Sequence, residues 1–367
     1  MTTDDISFSC DRYLAGKVQP FYLSYFKGSW GLGRQARVDH IPTVLESQKF
    51  ELVAVCDVNL TAVKEVSEKL NVKGFTSLSD LIRTTKCDAA IVAVPHNQYL
   101  PILKELADAD ISILKEKPFA TTIEEACQIH RAVNKKVFLG VTRQRRFKQI
   151  YQAFLKMLPD IGKTYSIEGR YTFNVTDLSE GWRASKEQAG GGALVDMGYH
   201  LIDLLVWYFG TPQTVTARIT RGNREGQPYD VEDTVNMLFD FHLPQSYDEK
   251  AIGNFLISRV YPKKEELLIA YGTKGILELK NGQICRYGTH GEEIEKPLSQ
   301  VAWPFALIEQ LNHFGEAVSA GTCWDLDIFK QHLSQVAIIE SSYQSDRQST
   351  SCRPDVYVQK ALEVCSK

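Results

Sequence analysis

The chain has 367 residues, of which 44% are hydrophobic and 24% are charged, and its formal net charge at pH 7 is −3. At about 100–200 residues per domain, this length predicts two domains and a sizeable core. The composition is that of a globular protein, which excludes the collagenous, coiled-coil and disordered classes. The slight acidic excess, without a basic stripe, excludes a nucleic-acid coat because phosphate binding requires clustered cations.

The cysteines and the N-terminal residues indicate the kind of compartment. The eight cysteines are widely spaced and include no C-x-x-C pair, so we expect neither a metal site nor a redox motif. Residues 1–17 carry acidic side chains where a signal peptide needs basic ones, and no apolar stretch approaches about 18 residues. We therefore expect a soluble, cytoplasmic protein that binds neither membranes nor nucleic acid.

In the first half of the chain, short apolar runs alternate with amphipathic helical stretches, which is typical of βαβ units and a parallel sheet. A first strand is expected at Phe21–Trp30, although Ser24, Lys27 and Ser29 interrupt its apolar character. Helices are predicted at Arg34–Glu46, Thr61–Leu70 and Thr122–Val133, and further strands at Leu52–Cys56, Ala89–Val94, Ile111–Leu114 and Val137–Val141.

After a crossing helix predicted at Lys148–Leu158, strands follow one another without helices between them, which indicates a largely antiparallel sheet. Helices return at Pro304–Ala320 and Ile328–Ser345, and Asp346–Arg353 has the composition of a loop. The strands are predicted at Tyr165–Val175, Thr214–Thr220, Thr234–His242, Ile252–Val260, Glu266–Tyr271 and Gly275–Leu279.

These patterns predict an α/β fold with two domains. Residues 1–147 would form a doubly wound, parallel dinucleotide-binding domain of the Rossmann type. Residues 148–367 would form an α+β domain with an open, mostly antiparallel sheet for substrate binding and oligomerisation. Val235, Met237, Phe239 and Phe241 share one face of this sheet, and we expect a single helical layer to leave part of that face for another subunit. The expected assembly is a homodimer or homotetramer.

A glycine turn opens the first predicted helix. Gly31, Gly33 and Ala36 match the relaxed G-x-G-x-x-A form of the dinucleotide fingerprint. Gly31 would make the tight turn, Gly33 would admit the pyrophosphate, and Ala36 would let the helix pack closely on the strand. A purely structural glycine loop is the alternative, because such turns also occur by chance. Candidate cofactor-binding residues of this turn are Gly31, Leu32, Gly33, Arg34 and Gln35.

Asp57 follows a predicted strand at the place where an acidic residue bonds the adenosine ribose hydroxyls. Its carboxylate would repel a 2′-phosphate, and the next residues, Val58 and Asn59, supply no arginine to attract one. The sequence therefore favours NAD(H), with NADP(H) second. The alternative is that Asp57 caps the next helix near Thr61.

A second cluster, Lys115-Glu116-Lys117-Pro118, follows the strand at Ile111–Leu114. Ligands in doubly wound sheets bind at the carboxyl ends of the strands, so Lys117 would lie beside the nicotinamide end of a dinucleotide. A cis peptide bond before Pro118 would fix this lysine. The alternative is a solvated run of charges.

Asp196, His200 and Asp203 recur at helical spacing after a run of three glycines. A carboxylate one turn from an imidazole can fix its tautomer and raise its basicity. Gly198 within the same helix costs about 1 kcal/mol relative to Ala, so we expect a close approach there. A structural histidine and a zinc site are the alternatives, although no further zinc ligands have suitable spacing.

Taken together, Gly31–Ala36, Asp57, Glu116-Lys117-Pro118 and the motif at 190–203 resemble the glucose–fructose oxidoreductase, inositol dehydrogenase and rhizopine catabolism family, written Gfo/Idh/MocA. The resemblance covers nearly the whole chain. It implies a Rossmann domain followed by an α/β domain whose open sheet often forms the subunit interface. A departure is Pro95-His96-Asn97, because the family usually places its histidine a few residues after this proline.

The resemblance also implies residue roles. Lys117, Asp196 and His200 match the catalytic lysine, aspartate and histidine of the family. The remaining candidates form two groups: Pro95, Asn97, Glu116 and Lys117 as further cofactor-binding residues, and Arg146, Asn174, Trp182 and Arg183 as substrate-binding residues.

The implied reaction is reversible hydride transfer between a nicotinamide and a secondary hydroxyl or ketone of a sugar, polyol or sugar derivative. His200 would take the hydroxyl proton with Asp196 orienting it, and Lys117 would stabilise the developing alkoxide. Two alternatives stay open: an NADPH-dependent 3-keto sugar reductase of a biosynthetic pathway, and a dinucleotide-binding regulator without catalysis.

Overall fold

The computed structural model describes residues 20–23, 32–243, 249–299 and 305–365, which form two sheets with their helices. Across these residues, none of the helices combines the length and the apolar character needed to cross a bilayer. The same ranges contain no cluster of histidine, cysteine and acidic side chains arranged to hold a metal ion.

The first sheet is parallel throughout and has the order β3-β2-β1-β4-β5-β6. This is the order of a Rossmann fold, in which the chain reverses direction across the sheet between β1 and β4. The predicted parallel sheet is confirmed. Its strands are β1 at Pro20–Leu23, β2 at Ala54–Cys56, β3 at Lys73–Phe75, β4 at Ala89–Val92, β5 at Ser112–Lys115 and β6 at Leu139–Val141.

The first strand differs from the predicted Phe21–Trp30, since β1 ends at Leu23 and residues 24–31 lie outside the described ranges. The short β3, α3 and α4 were not predicted. The helices of this half are α1 at Ile41–Glu46, preceded by a π-helical segment at Ala36–His40, then α2 at Leu60–Leu70, α3 at Leu78–Thr84, α4 at Tyr99–Asp108 and α5 at Ile123–Val133.

The second sheet has the order β14-β13-β12-β11-β7-β10-β9-β8 and is antiparallel except for the pair β7 and β10. The expected open, mostly antiparallel sheet is confirmed, although β13 and β14 were not predicted. Its strands are β7 at Thr164–Asn174, β8 at Thr214–Thr220, β9 at Thr234–His242, β10 at Lys250–Ser258, β11 at Val260–Gly272, β12 at Gly275–Lys280, β13 at Gln283–Tyr287 and β14 at Glu293–Ser299.

The helices of the second half begin with α6 and end with two long C-terminal helices. The segment Asp346–Arg353, expected to be a loop, is helical as far as Gln348, and the helix at 354–365 was not predicted. The helices are α6 at Gln149–Met157, α7 at Lys186–Ala189, α8 at Tyr199–Phe209 with a π-helical segment at Leu194–Gly198 before it, α9 at Phe305–Ser319, α10 at Leu326–Gln348 and α11 at Pro354–Cys365.

One face of the second sheet is covered by helices of the same chain. Val235, Met237, Phe239 and Phe241 are each at most 2% exposed and belong to the core that α8 and α10 complete. The expectation that a second subunit covers these residues is therefore wrong. The cross-strand neighbours on the opposite face include Leu238 and Ile252, which are exposed.

Helix α10 belongs to both cores. Its Phe329, Leu333 and Val336 pack with the first sheet and α5, whereas Ile338 and Ile339 pack with the second sheet and α8. The described C-terminal helices thus close over both halves of the fold. The division of the chain at residue 147 stays a prediction.

Trp324 anchors the C-terminal helices to the first core. Its fully buried ring stacks on Phe119, and its indole nitrogen donates a hydrogen bond to His130 over 3.0 Å. We predict that Trp324→Ala lowers the free energy of unfolding by about 3–5 kcal/mol, because it leaves a large cavity. Urea unfolding followed by circular dichroism measures this change. Phe305→Ala, at a half-exposed position on α9, is the control, and an equal loss in both variants would contradict the prediction.

Candidate functional site

The turn after β5 is built around a lysine that lies inside the protein. The Lys115 ammonium is fully buried and donates hydrogen bonds to the carbonyl oxygens of Glu116, Pro118 and Phe119. It also lies 3.6 Å from the centre of the Tyr99 ring. Burial lowers the pKa of Lys115 to about 7. This lysine braces the turn, so the alternative of a solvated run of charges is wrong.

The same turn holds the backbone of Lys117. The peptide bond from Lys117 to Pro118 is cis, as the sequence allowed. The Lys117 N–H donates to Glu116 Oε2 over 3.2 Å and to Thr142 Oγ1 over 3.1 Å. The other oxygen of Glu116 lies 2.8 Å from His40 Nε2. Burial alone would raise the pKa of Glu116, but His40, Lys117 and Thr142 together outweigh it and lower the pKa.

Lys117 reaches across the chain to Asp196. Its ammonium donates to Asp196 Oδ1 over 2.6 Å and to the Asp196 carbonyl oxygen over 2.8 Å. The other carboxylate oxygen, Oδ2, lies 3.0 Å from Arg259 Nη2 and 3.3 Å from Arg183 Nε. Burial alone would raise the pKa of Asp196, but Lys117, Arg183 and Arg259 hold it well below the usual range. One ionised carboxylate therefore joins three cations.

Sequence reasoning missed Arg259. This residue connects β10 to β11, is 4% exposed, and also donates to the Gly192 carbonyl oxygen over 3.2 Å. An arginine directly after a buried strand was the available signal, since a buried guanidinium needs acceptors. Its position relative to Asp196 depends on a contact 63 residues apart in sequence.

Glu232 fixes the beginning of the helical segment that carries Asp196 and His200. The backbone carbonyl of Glu232 accepts the N–H of Ala193 over 2.8 Å, and its carboxylate accepts the N–H of Leu194 over 2.9 Å. A Cβ on Gly192 would lie 2.0 Å from the Glu232 carbonyl oxygen. Only glycine permits this approach, which explains the end of the glycine run.

The π-helical segment at Leu194–Gly198 carries Asp196, and α8 with His200 follows it directly. The expected contact in which Asp196 orients His200 is absent from the described residues, because the carboxylate binds the three cations instead. The close approach expected at Gly198 is there: a Cβ would lie 2.7 Å from Ile257 Cδ1.

His200 is half-buried, and none of the hydrogen bonds among the described residues involves its imidazole. Burial lowers the pKa of His200 well below its usual value, and the nearby cations Arg145 and Lys117 lower it further. The imidazole is therefore neutral at pH 7. A neutral imidazole can accept a proton, which is the property that a general base requires.

The cofactor candidates of the glycine turn lie in different environments. Gly31 lies outside the described residues. Leu32 is buried, and the Gly33 carbonyl accepts the N–H of Arg37 over 3.2 Å. Arg34 is exposed, and the Gln35 amide binds the Asp39 carboxylate.

Asp57 is buried directly after β2, and its Oδ1 accepts the N–H of Asn59 over 2.8 Å. The cap of α2 is Asn59, whose side chain accepts the N–H groups of Thr61 and Ala62. The alternative that Asp57 itself caps this helix is therefore wrong.

After β4, Pro95 is buried and Asn97 is exposed, while His96 between them joins the two halves of the fold. His96 Nδ1 lies 2.6 Å from the Ala189 carbonyl oxygen, and its ring meets Trp182 edge-on at 4.8 Å. Burial lowers the pKa of His96 to about 3. This neutral histidine packs against Trp182 and positions it beside the end of β4.

The four substrate candidates lie in three places. Trp182 and Arg183 lie at the site, with the Arg183 guanidinium 4.3 Å from the indole and its Nε on Asp196. Asn174 lies on the wall of a cavity and binds Arg224. Arg146 is used elsewhere: it makes two hydrogen bonds of 2.9 and 2.7 Å to Asp203, which ties α8 to the end of β6.

These positions fit a dinucleotide. Asp57, Pro95 and Lys117 follow β2, β4 and β5 at the carboxyl ends of the parallel strands, where doubly wound sheets bind nucleotides. The buried carboxylate of Asp57 could bond the ribose of such a cofactor, and Lys117 could meet its other end together with Asp196 and His200. The described residues thus supply both ends of a site for an extended cofactor.

The structure resembles known dehydrogenases. It aligns with the WlbA dehydrogenase of Bordetella pertussis, solved with NADH and UDP-GlcNAcA, at 22% identity and a TM-score of 0.74, covering 92% of this chain and 99% of that one. This likeness shows the shared fold.

Sequence comparison finds relatives of the same kind. An uncharacterized oxidoreductase of Schizosaccharomyces pombe is 29% identical over 236 residues, which are 62% of this chain and 63% of that protein. The rhizopine catabolism protein MocA of Rhizobium meliloti is 27% identical over 261 residues, which are 69% of this chain and 77% of that protein. The chain spans only 50–63% of the length of the first curated relatives that it matches.

Two family models match the two halves of the chain. Residues 30–142 match the oxidoreductase family with an NAD-binding Rossmann fold, and residues 159–278 match the GFO/IDH/MocA C-terminal domain. The Rossmann strand order agrees with the first of these matches. The chain belongs to the Gfo/Idh/MocA family of NAD(P)-dependent oxidoreductases.

Proposed function

We propose that this protein transfers a hydride between NAD(H) and a secondary hydroxyl or ketone of a sugar, polyol or sugar derivative. The observation that carries the proposal is the contact of Lys117 with Asp196 beside a neutral His200 at the carboxyl end of the Rossmann sheet. A bound nicotinamide supplies the chemistry by taking the hydride from the carbinol carbon or returning it to the carbonyl carbon.

The residues of the chain handle the proton and the developing charge. In the oxidative direction His200 takes the hydroxyl proton while the C–H electron pair leaves with the hydride, so that a C=O double bond forms. Lys117 has three N–H donors, two of which bind Asp196, and the third can reach the substrate oxygen. That hydrogen bond stabilises the alkoxide as it forms. Asp196 acts on Lys117, which it holds in place.

The substrate side is formed by Trp182, Arg183 and Asn174. An indole covers the apolar face of a sugar ring, and guanidinium and amide groups bond its hydroxyls. The sugar nucleotide named with the WlbA structure and the rhizopine catabolism role named for MocA support this class of substrate. We assign Arg146 a positioning role, because both of its hydrogen bonds go to Asp203 on the helix that carries His200.

We predict that His200→Ala lowers kcat by about 10²–10⁴-fold without changing the Kd for NADH, because His200 accepts a proton and does not bind the dinucleotide.

In the native protein, kcat/KM for oxidation should fall at acidic pH as His200 becomes protonated. Because the pKa of His200 is lowered, this fall should begin below about pH 6.5, the ordinary histidine value. The measurement is NADH absorbance over a panel of polyols, sugars and sugar derivatives.

His290→Ala is the matched control, since His290 is exposed and lies between β13 and β14. It should keep the native rate and pH profile. A His200→Ala variant with full turnover would remove His200 from the mechanism, and a native protein that binds NADH without turning over any substrate would favour the regulator.

We predict a preference for NADH over NADPH because the buried Asp57 carboxylate would repel a 2′-phosphate. Asp57→Ala should reduce the ratio of the two dissociation constants by at least tenfold. Fluorescence titration with both cofactors measures the ratio. Asn59→Ala is the control, because it removes the helix cap beside Asp57 but leaves the carboxylate in place. Equal binding of both cofactors by the native protein would support the NADPH-dependent reductase.

We also propose that the outer face of the second sheet packs against a second copy of the chain. Leu238 and Ile252 on this face are each 61% exposed, which is unusual for large aliphatic side chains on adjacent strands. Ile252→Lys should convert a dimer or tetramer to a monomer in sedimentation velocity at micromolar concentration. Leu45→Lys, on the exposed side of α1, should leave the assembly unchanged. A native monomer would contradict the proposal.

A further inference from the structure

An open cavity of about 430 Å³ lies where β7 and the first residues of β11 meet. It is lined by Tyr171, Phe173, Asn174, Pro262 and Lys264. Of these residues, only Asn174 was a candidate from the sequence. The wall thus combines two aromatic rings with an amide and an ammonium group, which suits a ligand with apolar and polar parts.

The cavity adjoins the catalytic groups. The Arg145 guanidinium lies 4.7 Å from the centre of the Tyr171 ring, and both Arg145 and Asp196 act electrostatically on the Tyr171 hydroxyl. Arg145 and Lys148 likewise act on His200. The two lysines at this end, Lys148 and Lys264, are close enough to repel each other. Arg145 and Asp196 thus act on both the cavity wall and His200.

Two carboxylates in this region, Asp196 and Glu266, are already engaged by cations. Asp196 is shared by Lys117, Arg183 and Arg259. Glu266 accepts a hydrogen bond from the Tyr151 hydroxyl and lies 3.2 Å from Arg145.

Lys148 and Lys264 are left without an ion pair among the described residues. Lys148 is half-buried at the beginning of α6, and Lys264 is exposed at the cavity wall. Glu266 also acts on Lys148, but this carboxylate is already engaged by Arg145 and Tyr151, so the two ammonium groups keep a positive potential at a concave site. An anion placed there would be attracted by both.

We propose that the substrate carries an anionic group, a carboxylate or a phosphate, that binds to Lys148 and Lys264 while its reacting carbinol lies at His200. The proposal rests on the proposed function and adds the charge of the substrate. The aromatic rings of Tyr171 and Phe173 would cover the body of the ligand between the two ends. A neutral sugar would leave both ammonium groups without a partner as it displaced water from them.

Titration calorimetry with D-glucose, D-glucuronate and D-glucose 6-phosphate, in the presence and absence of NADH, tests the proposal. At least one anionic sugar should bind about tenfold or more tightly than glucose, as expected for a hydrogen bond to a charged group. The comparison of glucuronate with the 6-phosphate tells which anion the site accepts. Raising the salt concentration should weaken this preference, because screening acts on charged ligands.

Lys148→Gln and Lys264→Gln should each reduce the preference for the anionic sugar by about tenfold. Lys156→Gln on α6 and Lys263→Gln beside Lys264 are the matched controls, since both side chains are exposed and neither lines the cavity. The controls should keep the preference, which shows that the loss comes from the site and not from the net charge.

The proposal is overturned if neither anionic sugar binds more tightly than glucose at millimolar concentration, or if the preference survives both substitutions. Failure of the proposed function would look different: NADH would not bind, or no substrate would be oxidised, whatever the charge preference. The titrations without NADH keep these two outcomes apart.

Discussion

The arrangement of the site depends on the single carboxylate of Asp196. Its two oxygens bind cations from three separate segments: the turn after β5, the turn at 182–184, and the connection from β10 to β11. A buried charge is tolerated only when it is paired and hydrogen-bonded. The three cations require the carboxylate as much as the carboxylate requires them, because without it three positive charges would face one another at the junction of the two sheets.

The same surroundings give Asp196 and His200 different protonation states. The cations keep Asp196 ionised, and burial together with nearby positive charge keeps His200 neutral. Sites that carry out acid–base chemistry at neutral pH commonly contain two titratable groups whose environments push their pKa values apart. The carboxylate of Asp196 is occupied by Lys117, Arg183 and Arg259, whereas the imidazole of His200 has no hydrogen bond among the described residues.

The sequence predicts the sheets well because their signals are local. Apolar runs and the ends of strands place Asp57 and Lys117 on one edge of a parallel sheet, and the structure confirms that sheet. It predicts the surroundings of Asp196 poorly. Arg259 lies 63 residues away, and its contact follows from the register of β10, which no local pattern gives. A π-helical turn adds one residue to a helix without changing its apolar periodicity enough to be seen.

The element that covers a sheet face is also hard to predict from the sequence of one strand. The apolar alternation in β9 shows that one face is buried, but not what buries it. The answer lies a hundred residues later, in α10, whose apolar residues point in several directions because it packs on two cores. Weak strands such as β13 and the Ser-rich end of α10 lack the pattern that would have identified them.

Because α10 packs into both cores, it affects how the chain folds during synthesis. The last strand of the first sheet, β6, ends at Val141, yet Trp324, Phe329 and Leu333 of the same core are synthesised much later. Contacts between such distant residues slow folding, because a long loop must close before they form. The core of the first sheet therefore stays incomplete, with apolar surface uncovered, until α10 has been translated. Such a nascent chain depends on chaperones for longer than an independently folding domain would.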